Sequence, residues 1–161
     1  MNFYVDEIYN ILINKTYTPS PYIKMLIHDG ARKKERIIYK PKFYPDQIIH
    51  WALMQQIQPR IQKGMYEYCC ASVPNRGIHY GGKYIKKILV NDRKNTKYAL
   101  KLDVKKFYPS INKEIMKRKF MRVIKDRDTL DLIDKIIDSS ESGLPIRKLY
   151  FTMVCKFLFA R

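Results

Sequence analysis

Apolar residues along this chain recur with two periods, and each change of period marks an element. Phe3, Val5, Ile8, Tyr9, Leu12 and Ile13 return at helical spacing, and Thr16-Tyr17-Thr18-Pro19-Ser20-Pro21 stops the helix they predict. Residues 22–27 and 35–40 read as strands around His28-Asp29-Gly30, where Asp-Gly is a turn signal, so a β-hairpin is expected with Arg32, Lys33 and Lys34 at its tip. Asp46 is expected to cap a helix carrying Ile48, Ile49, Ala52, Leu53 and Ile57, with Trp51 inside it and Pro59 interrupting its pattern. Residues 68–73 suit an extended segment, and Pro74-Asn75-Arg76-Gly77 turns the chain toward a basic helix over roughly 80–92.

In "KYALKLDV", residues 97–104, Tyr98, Leu100 and Leu102 alternate with Lys97, Ala99, Lys101 and Asp103. That period of two predicts a strand with its apolar side chains on one face and Asp103 on the other, at the point where strand gives way to turn. Two more helices are expected near 113–124 and 128–138, with Asp128 and Thr129 near a capping position. Helices and a hairpin together predict an α+β fold. Neither an internal repeat nor a shift of composition calls for a second independent domain.

Composition sharpens this picture at one point, the charge. With 161 residues and 46% hydrophobic content the chain can build a core, yet 32 Lys plus Arg against 15 Asp plus Glu leave it at +17. Such a surface seeks a polyanion, because each neutralised phosphate releases condensed counterions. Thirteen tyrosines and seven phenylalanines, many beside basic residues, offer stacking faces for unpaired bases, although aromatics also fill any core. The charge is spread over strands, loops and helices instead of one amphipathic helix, which favours nucleic acid over an anionic membrane. No apolar run is long enough to span a bilayer and the N-terminus does not resemble a signal peptide, so a cytoplasmic protein is expected. Cys69, Cys70 and Cys155 form neither a CxxC pair nor a disulfide framework and read as reduced, buried thiols.

On this background Asp103 has two readings. A carboxylate at a strand end on a cationic surface suits a hard divalent cation bridging to phosphate oxygens; it equally suits a cap on the turn that follows. The wording of the sequence adds a third consideration. Lys101-Leu102-Asp103-Val104-Lys105-Lys106-Phe107-Tyr108-Pro109-Ser110-Ile111 closely resembles the first palm motif of reverse transcriptases. "YKPKFYPDQIIHWAL" (39–53) and "CASVPNRGIHYGGKYIKKIL" (70–89) are similar to two fingers blocks of that family, and Gly143-Leu144-Pro145-Ile146 resembles the opening of its later palm motif. Four blocks in the family's order make the resemblance specific where one alone would be weak. The likeness is to enzymes of bacterial and phage retroelements, such as those of group II introns and diversity-generating elements.

The resemblance implies fingers over residues 1–96, with the basic hairpin among their helices, and the first part of a polymerase palm over 97–146. It implies template-directed DNA synthesis by a two-metal mechanism with Mg²⁺, an RNA template, a DNA primer and dNTP, and no membrane. Asp103 would be the first metal-binding carboxylate and the Val104 carbonyl a second metal contact. Tyr108 would be the aromatic gate beneath the incoming sugar, and Arg76, with Lys83 behind it, would meet the triphosphate. Tyr108 also reads as core, Arg76 as a turn residue and Lys83 as a solvated lysine. Arg32, Lys33, Lys34, Lys40 and Lys42 are the candidates for nucleic-acid contact, against a reading of the tip as a solvated loop.

After Ile146 the likeness breaks. The family continues with Gly-Asn and a Thr-Ser-Gln-like stretch and later supplies paired aspartates, whereas residues 147–161 read "RKLYFTMVCKFLFAR". One allowed codon choice for that tail, read one base later, encodes Gly-Asn-Tyr-Thr-Ser-Gln-Trp-Phe-Ala-Asn-Phe-Phe-Leu-Gln. The expectation is therefore a reading frame shifted after Ile146 and a chain that is inactive alone for want of the paired aspartates. The rivals are a genuine unrelated tail, a non-catalytic basic nucleic-acid-binding module, and a truncated product with no role.

Overall fold

The computed structural model describes residues 3–29, 34–70, 73–141 and 143–144. Among them are five α-helices and one two-stranded antiparallel sheet, an α+β arrangement. Helix α1 spans Phe3–Ile13, strands β1 and β2 span Ile23–Asp29 and Lys34–Lys40, α2 spans Ile48–Lys63, α3 Ile78–Asn91, α4 Lys113–Val123 and α5 Arg127–Asp138. The residues expected to form a tail, 147–161, and the hairpin-tip pair Arg32 and Lys33 lie outside the described residues, as does the side chain of Lys34.

The core is built where helical stripes face each other. From α2 come Ile49, Met54, Ile57 and Ile61, from α4 Met116 and Phe120, and from α5 Ile133, Ile136 and Ile137; Tyr17, Ile111, Ile124 and Leu144 close the cluster. Ile8, Ile11 and Leu12 of α1 pack against its edge. Side-chain caps start both later helices. Asn112 Oδ1 accepts the Ile115 amide at 3.0 Å, and Asp126 Oδ2 accepts the Thr129 amide at 2.8 Å and the Thr129 hydroxyl at 2.6 Å. The cap of α5 is thus Asp126 with Thr129 as its partner, beside Asp128, which pairs with Lys15 at 2.6 Å on the surface.

The chain between α1 and β1 is tied to α5. Lys135 Nζ donates to the carbonyls of Lys15 and Tyr17, each at 3.1 Å, and the Tyr22 and Ser139 hydroxyls meet at 2.7 Å. The hairpin pairs Ile23 with Lys40, Met25 with Ile38 and Ile27 with Arg36. Its buried apolar anchor is Ile38, while Met25, Leu26, Ile37 and Tyr39 stay exposed.

Four expectations are corrected. Asp46 does not cap α2. It lies 1% exposed, where Oδ1 accepts the Tyr17 hydroxyl at 2.6 Å and the Ser20 amide at 3.2 Å, and Tyr17 also meets His50 Nε2 at 3.1 Å. Burial, then the hydrogen bond to Asp46, pushes the Tyr17 phenol upward. Pro59 does not interrupt α2, which runs through to Lys63. Both Pro59 and Gln55, whose carbonyl the ring displaces, are exposed, so water can satisfy the freed acceptor. Residues 68–70 do not extend into a strand: Tyr66 to Cys69 form a turn closed by Cys69 N–H to Tyr66 O at 3.0 Å, and Val73 bridges only to Arg76. Finally, residues 97–104 are irregular. Tyr98, Leu100 and Leu102 are 95%, 84% and 80% exposed, because no strand among the described residues lies beside them and a lone strand leaves its amides unpaired.

Candidate functional site

Two of the sequence blocks that the resemblance singles out meet in space. After the exposed segment 97–104, residues 105–110 coil into a tight turn. Lys106 sits at φ 51°, and its carbonyl accepts both the Ser110 amide at 3.1 Å and the Ser110 hydroxyl at 2.9 Å. Ile111 anchors the turn in the core. From the far end of α5 the chain returns to this turn, and the Leu144 amide donates to the Tyr108 carbonyl at 3.0 Å.

Gly143 makes the approach possible. At φ 53° it holds the left-handed conformation, and a Cβ there would lie 2.3 Å from the Tyr108 carbonyl oxygen and 2.6 Å from that of Pro109. Ser140 secures the return, its hydroxyl bridging the Ile137 carbonyl at 3.0 Å and the Gly143 carbonyl at 2.8 Å, while the Lys113 ammonium donates to the Ser140 carbonyl. Leu144 then drops into the core.

Asp103 and Val104 are exposed at the mouth of this turn. Tyr108 is half-buried, its ring edge-on to Phe107 with centroids 5.3 Å apart, and both rings rest on the core. The structure therefore places Asp103 in water and Tyr108 between water and core. Mg²⁺ wants a near-octahedral set of oxygens including one or two carboxylates. Asp103 supplies one; among the described residues no group of three or more His, Cys, Asp or Glu side chains is gathered to hold a metal, and the paired aspartates implied by the resemblance fall on none of them.

The fingers-like candidates lie on separate elements, Arg76 just before α3 and Lys83 on it, Lys40 at the end of β2 and Lys42 just beyond it. Pro74 and Asn75 make the turn, with Asn75 at φ 62°, and Arg76 N–H closes it on the Val73 carbonyl at 3.1 Å. The Arg76 guanidinium donates through Nη1 to the Glu67 carbonyl at 2.8 Å and lies 5.6 Å from the centroid of the Tyr80 ring. Lys83 is exposed on α3. Lys40 and Lys42 are exposed on either side of buried Pro41, whose carbonyl accepts Gln47 Nε2 at 3.0 Å.

One feature here has only a faint sequence signal. Tyr66, Tyr68, Tyr84 and Tyr80 form a continuous row of rings, with successive centroids 5.3, 4.7 and 4.7 Å apart. The Tyr80 hydroxyl donates to the Tyr84 hydroxyl at 3.1 Å, and that bond, then burial, raises the Tyr80 phenol. The i,i+4 pairing of Tyr80 with Tyr84 was visible in the sequence, but the loop that brings Tyr66 and Tyr68 beside it was not.

No protein-family model matches this chain, and no curated protein does. Among the described residues no helix is long and apolar enough to cross a membrane.

Proposed function

We propose that this chain is the fingers and first part of the palm of an RNA-directed DNA polymerase of retroelement type. The observation that supports this most directly is the contact of Gly143-Leu144 with the Tyr108 turn. Two blocks that in such an enzyme must act on one nucleotide are brought together by a hydrogen bond and a glycine that admits no side chain. The strongly basic composition and the exposed position of Asp103 agree with a substrate made of phosphates.

In this reading Asp103 and the Val104 carbonyl present oxygens toward the reacting phosphates. Divalent magnesium would supply charge neutralisation to the transferred phosphate, held by Asp103 and the Val104 carbonyl once the paired aspartates are present. Tyr108 fixes the floor beneath the incoming sugar, held in place by its carbonyl bond to Leu144. Arg76 uses one N–H on Glu67 and keeps further N–H donors for a triphosphate. Lys40, Lys42, Lys83 and the tip residues Arg32, Lys33 and Lys34 add positive charge along the path of template and primer.

The test begins with the coding DNA. Read in the second frame after Ile146 it should encode Gly-Asn-Tyr-Thr-Ser-Gln and, further on, an aromatic-x-Asp-Asp motif; any other reading sinks the proposal of a shifted frame. Protein expressed from the rejoined frame should then extend a DNA primer on an RNA template with Mg²⁺, and Asp103→Ala should abolish extension. Extension that is indifferent to Asp103→Ala overturns the catalytic assignment.

A second reading, a non-catalytic basic nucleic-acid-binding module, is favoured by the setting of Asp103 in exposed coil, outside any cluster of potential metal ligands among the described residues. It predicts salt-dependent RNA binding that survives Asp103→Ala and falls when Arg32, Lys33 and Lys34 are neutralised.

A further inference from the structure

The tyrosine row joins two rings of α3, Tyr80 and Tyr84, to two of the loop that follows α2, Tyr66 and Tyr68. Four rings are lined up at the surface instead of being sunk in the core, and α3 itself buries none of its residues. Tyr66 ends the row at 67% exposure. The row is also held rigidly: Arg76 lies against Tyr80 and is pinned by the Glu67 carbonyl, the Tyr80 and Tyr84 hydroxyls are joined, and the Cys70 sulfur lies 3.1 Å from where a Cβ on Gly81 would stand, bringing the loop close to the helix.

Charge on α3 has one sign. The helix contains no Asp or Glu, and His79, Lys83, Lys86 and Lys87 project from it into water; the nearby carboxylates are Glu67, between Tyr66 and Tyr68, and Asp92 after the helix. Four acids are gathered elsewhere, Asp128, Asp131, Asp134 and Asp138 on α5. A polyanion approaching the molecule is therefore drawn to α3 and repelled from α5.

We propose that Tyr66, Tyr68, Tyr80 and Tyr84, with Lys83, Lys86 and Lys87, form a stacking platform for single-stranded nucleic acid. Lysines track the phosphates while the ring at the open end of the row takes an unpaired base, a pairing that tolerates any sequence because every base presents a π face. A duplex keeps its bases stacked on one another and engages the lysines alone. Arg76 is the positioning residue that holds Tyr80, and through it the row, in place. The inference rests on the nucleic-acid part of the proposed function and needs neither Asp103 nor metal.

The experiment is fluorescence polarisation of the whole chain, without Mg²⁺ or nucleotide, against a labelled 20-mer of ribo-A, the same deoxy 20-mer, and a blunt duplex hairpin. Single strands should bind more tightly than the hairpin, and the ribo and deoxy arms tell whether RNA or DNA is preferred. Tyr66→Leu should weaken single-strand binding about tenfold while leaving the hairpin unchanged, and Tyr66→Phe should restore it. Replacing Lys83, Lys86 and Lys87 with Gln should weaken all three ligands and lower the single-strand salt slope by about 2. A 5-iodouridine strand should photocrosslink to the peptide containing Tyr66 and Tyr68 in the unmutated protein.

Equal losses for strand and hairpin, no loss with Tyr66→Leu, or crosslinks confined to other peptides would overturn the platform. So would binding to phosphatidylserine vesicles with none to the oligonucleotides, which would make α3 a membrane-surface helix. A rejoined-frame protein that binds strands through Tyr66 but extends no primer sinks the polymerase reading and leaves the platform standing.

Discussion

Helices α5 and α3 carry apolar stripes that look equivalent on paper, yet one is buried and the other faces water. In α5, Ile133, Ile136 and Ile137 are buried together with Met116 and Phe120 of α4 and Ile49 and Ile61 of α2. In α3, Ile78, Ile85, Ile88, Leu89 and Val90 are all exposed, and the following segment continues the theme with Tyr98, Leu100 and Leu102. An apolar stripe states that a helix has a face to cover; it does not state what covers it. In the first region the partner stripes lie in the described residues, and in the second they do not.

The contrast can be broken most forcefully by truncating one large side chain in each region. Phe120→Ala should cost about 3–5 kcal/mol in urea unfolding, whereas Leu100→Ala should stay within about 0.5 kcal/mol. A comparable loss at Leu100 would show that residues 97–104 are covered in solution, and the comparison would collapse.

Gly143→Ala comes next. It forces an alanine into the left-handed region with its Cβ inside van der Waals range of the Tyr108 carbonyl, so a loss of about 2–3 kcal/mol is expected on thermal unfolding. An unchanged melting curve would mean that the Tyr108 turn and the Gly143 return are not locked together.

Smaller still, Tyr17→Phe withdraws the hydroxyl donated to buried Asp46 and should cost about 1–2 kcal/mol. It also has a pH signature. The folded-state phenol is raised above its ordinary value near 10, so its contribution is complete below about pH 10 and is lost as pH rises above that value. Stability measured from pH 8 to 11 should therefore fall less steeply in Tyr17→Phe than in the parent. If the two slopes coincide, Tyr17 is not held as a neutral donor.

The smallest effect belongs to Asp126. Hydrogen bonds from Thr129, side chain first and backbone second, hold its carboxyl below the usual range. A depressed folded-state value contributes stability above the ordinary carboxylate range and loses it as pH falls through the lowered one. Asp126→Ala should lower the melting temperature modestly at pH 7, and the loss should shrink as pH falls below the ordinary carboxylate range, as judged by circular dichroism.

Much of the fold could be read from periodicity. The hairpin lies within a residue or two of its predicted strands, and α3 begins at Ile78, two residues before its expected start. What escaped were the places where a residue type serves two purposes. Asp46 looked like a cap because aspartate before an apolar run usually is one, and only the fold brings Tyr17 and Ser20 to it. Residues 97–104 have the alternation of a strand, but alternation alone cannot supply neighbours for the amides. At the candidate site, Asp103, Tyr108 and Arg76 were singled out from their motifs. The contact of Gly143 with the Tyr108 turn was hidden because it depends on how α4 and α5 pack.

That contact has a mechanical meaning. The Tyr108 loop is fastened by a clasp drawn from a stretch of chain that lies beyond two intervening helices, so neither end of the clasp can shift without tugging the other. A load applied at Leu144 therefore reaches the Tyr108 carbonyl through one hydrogen bond as well as through the core in which Leu144 sits.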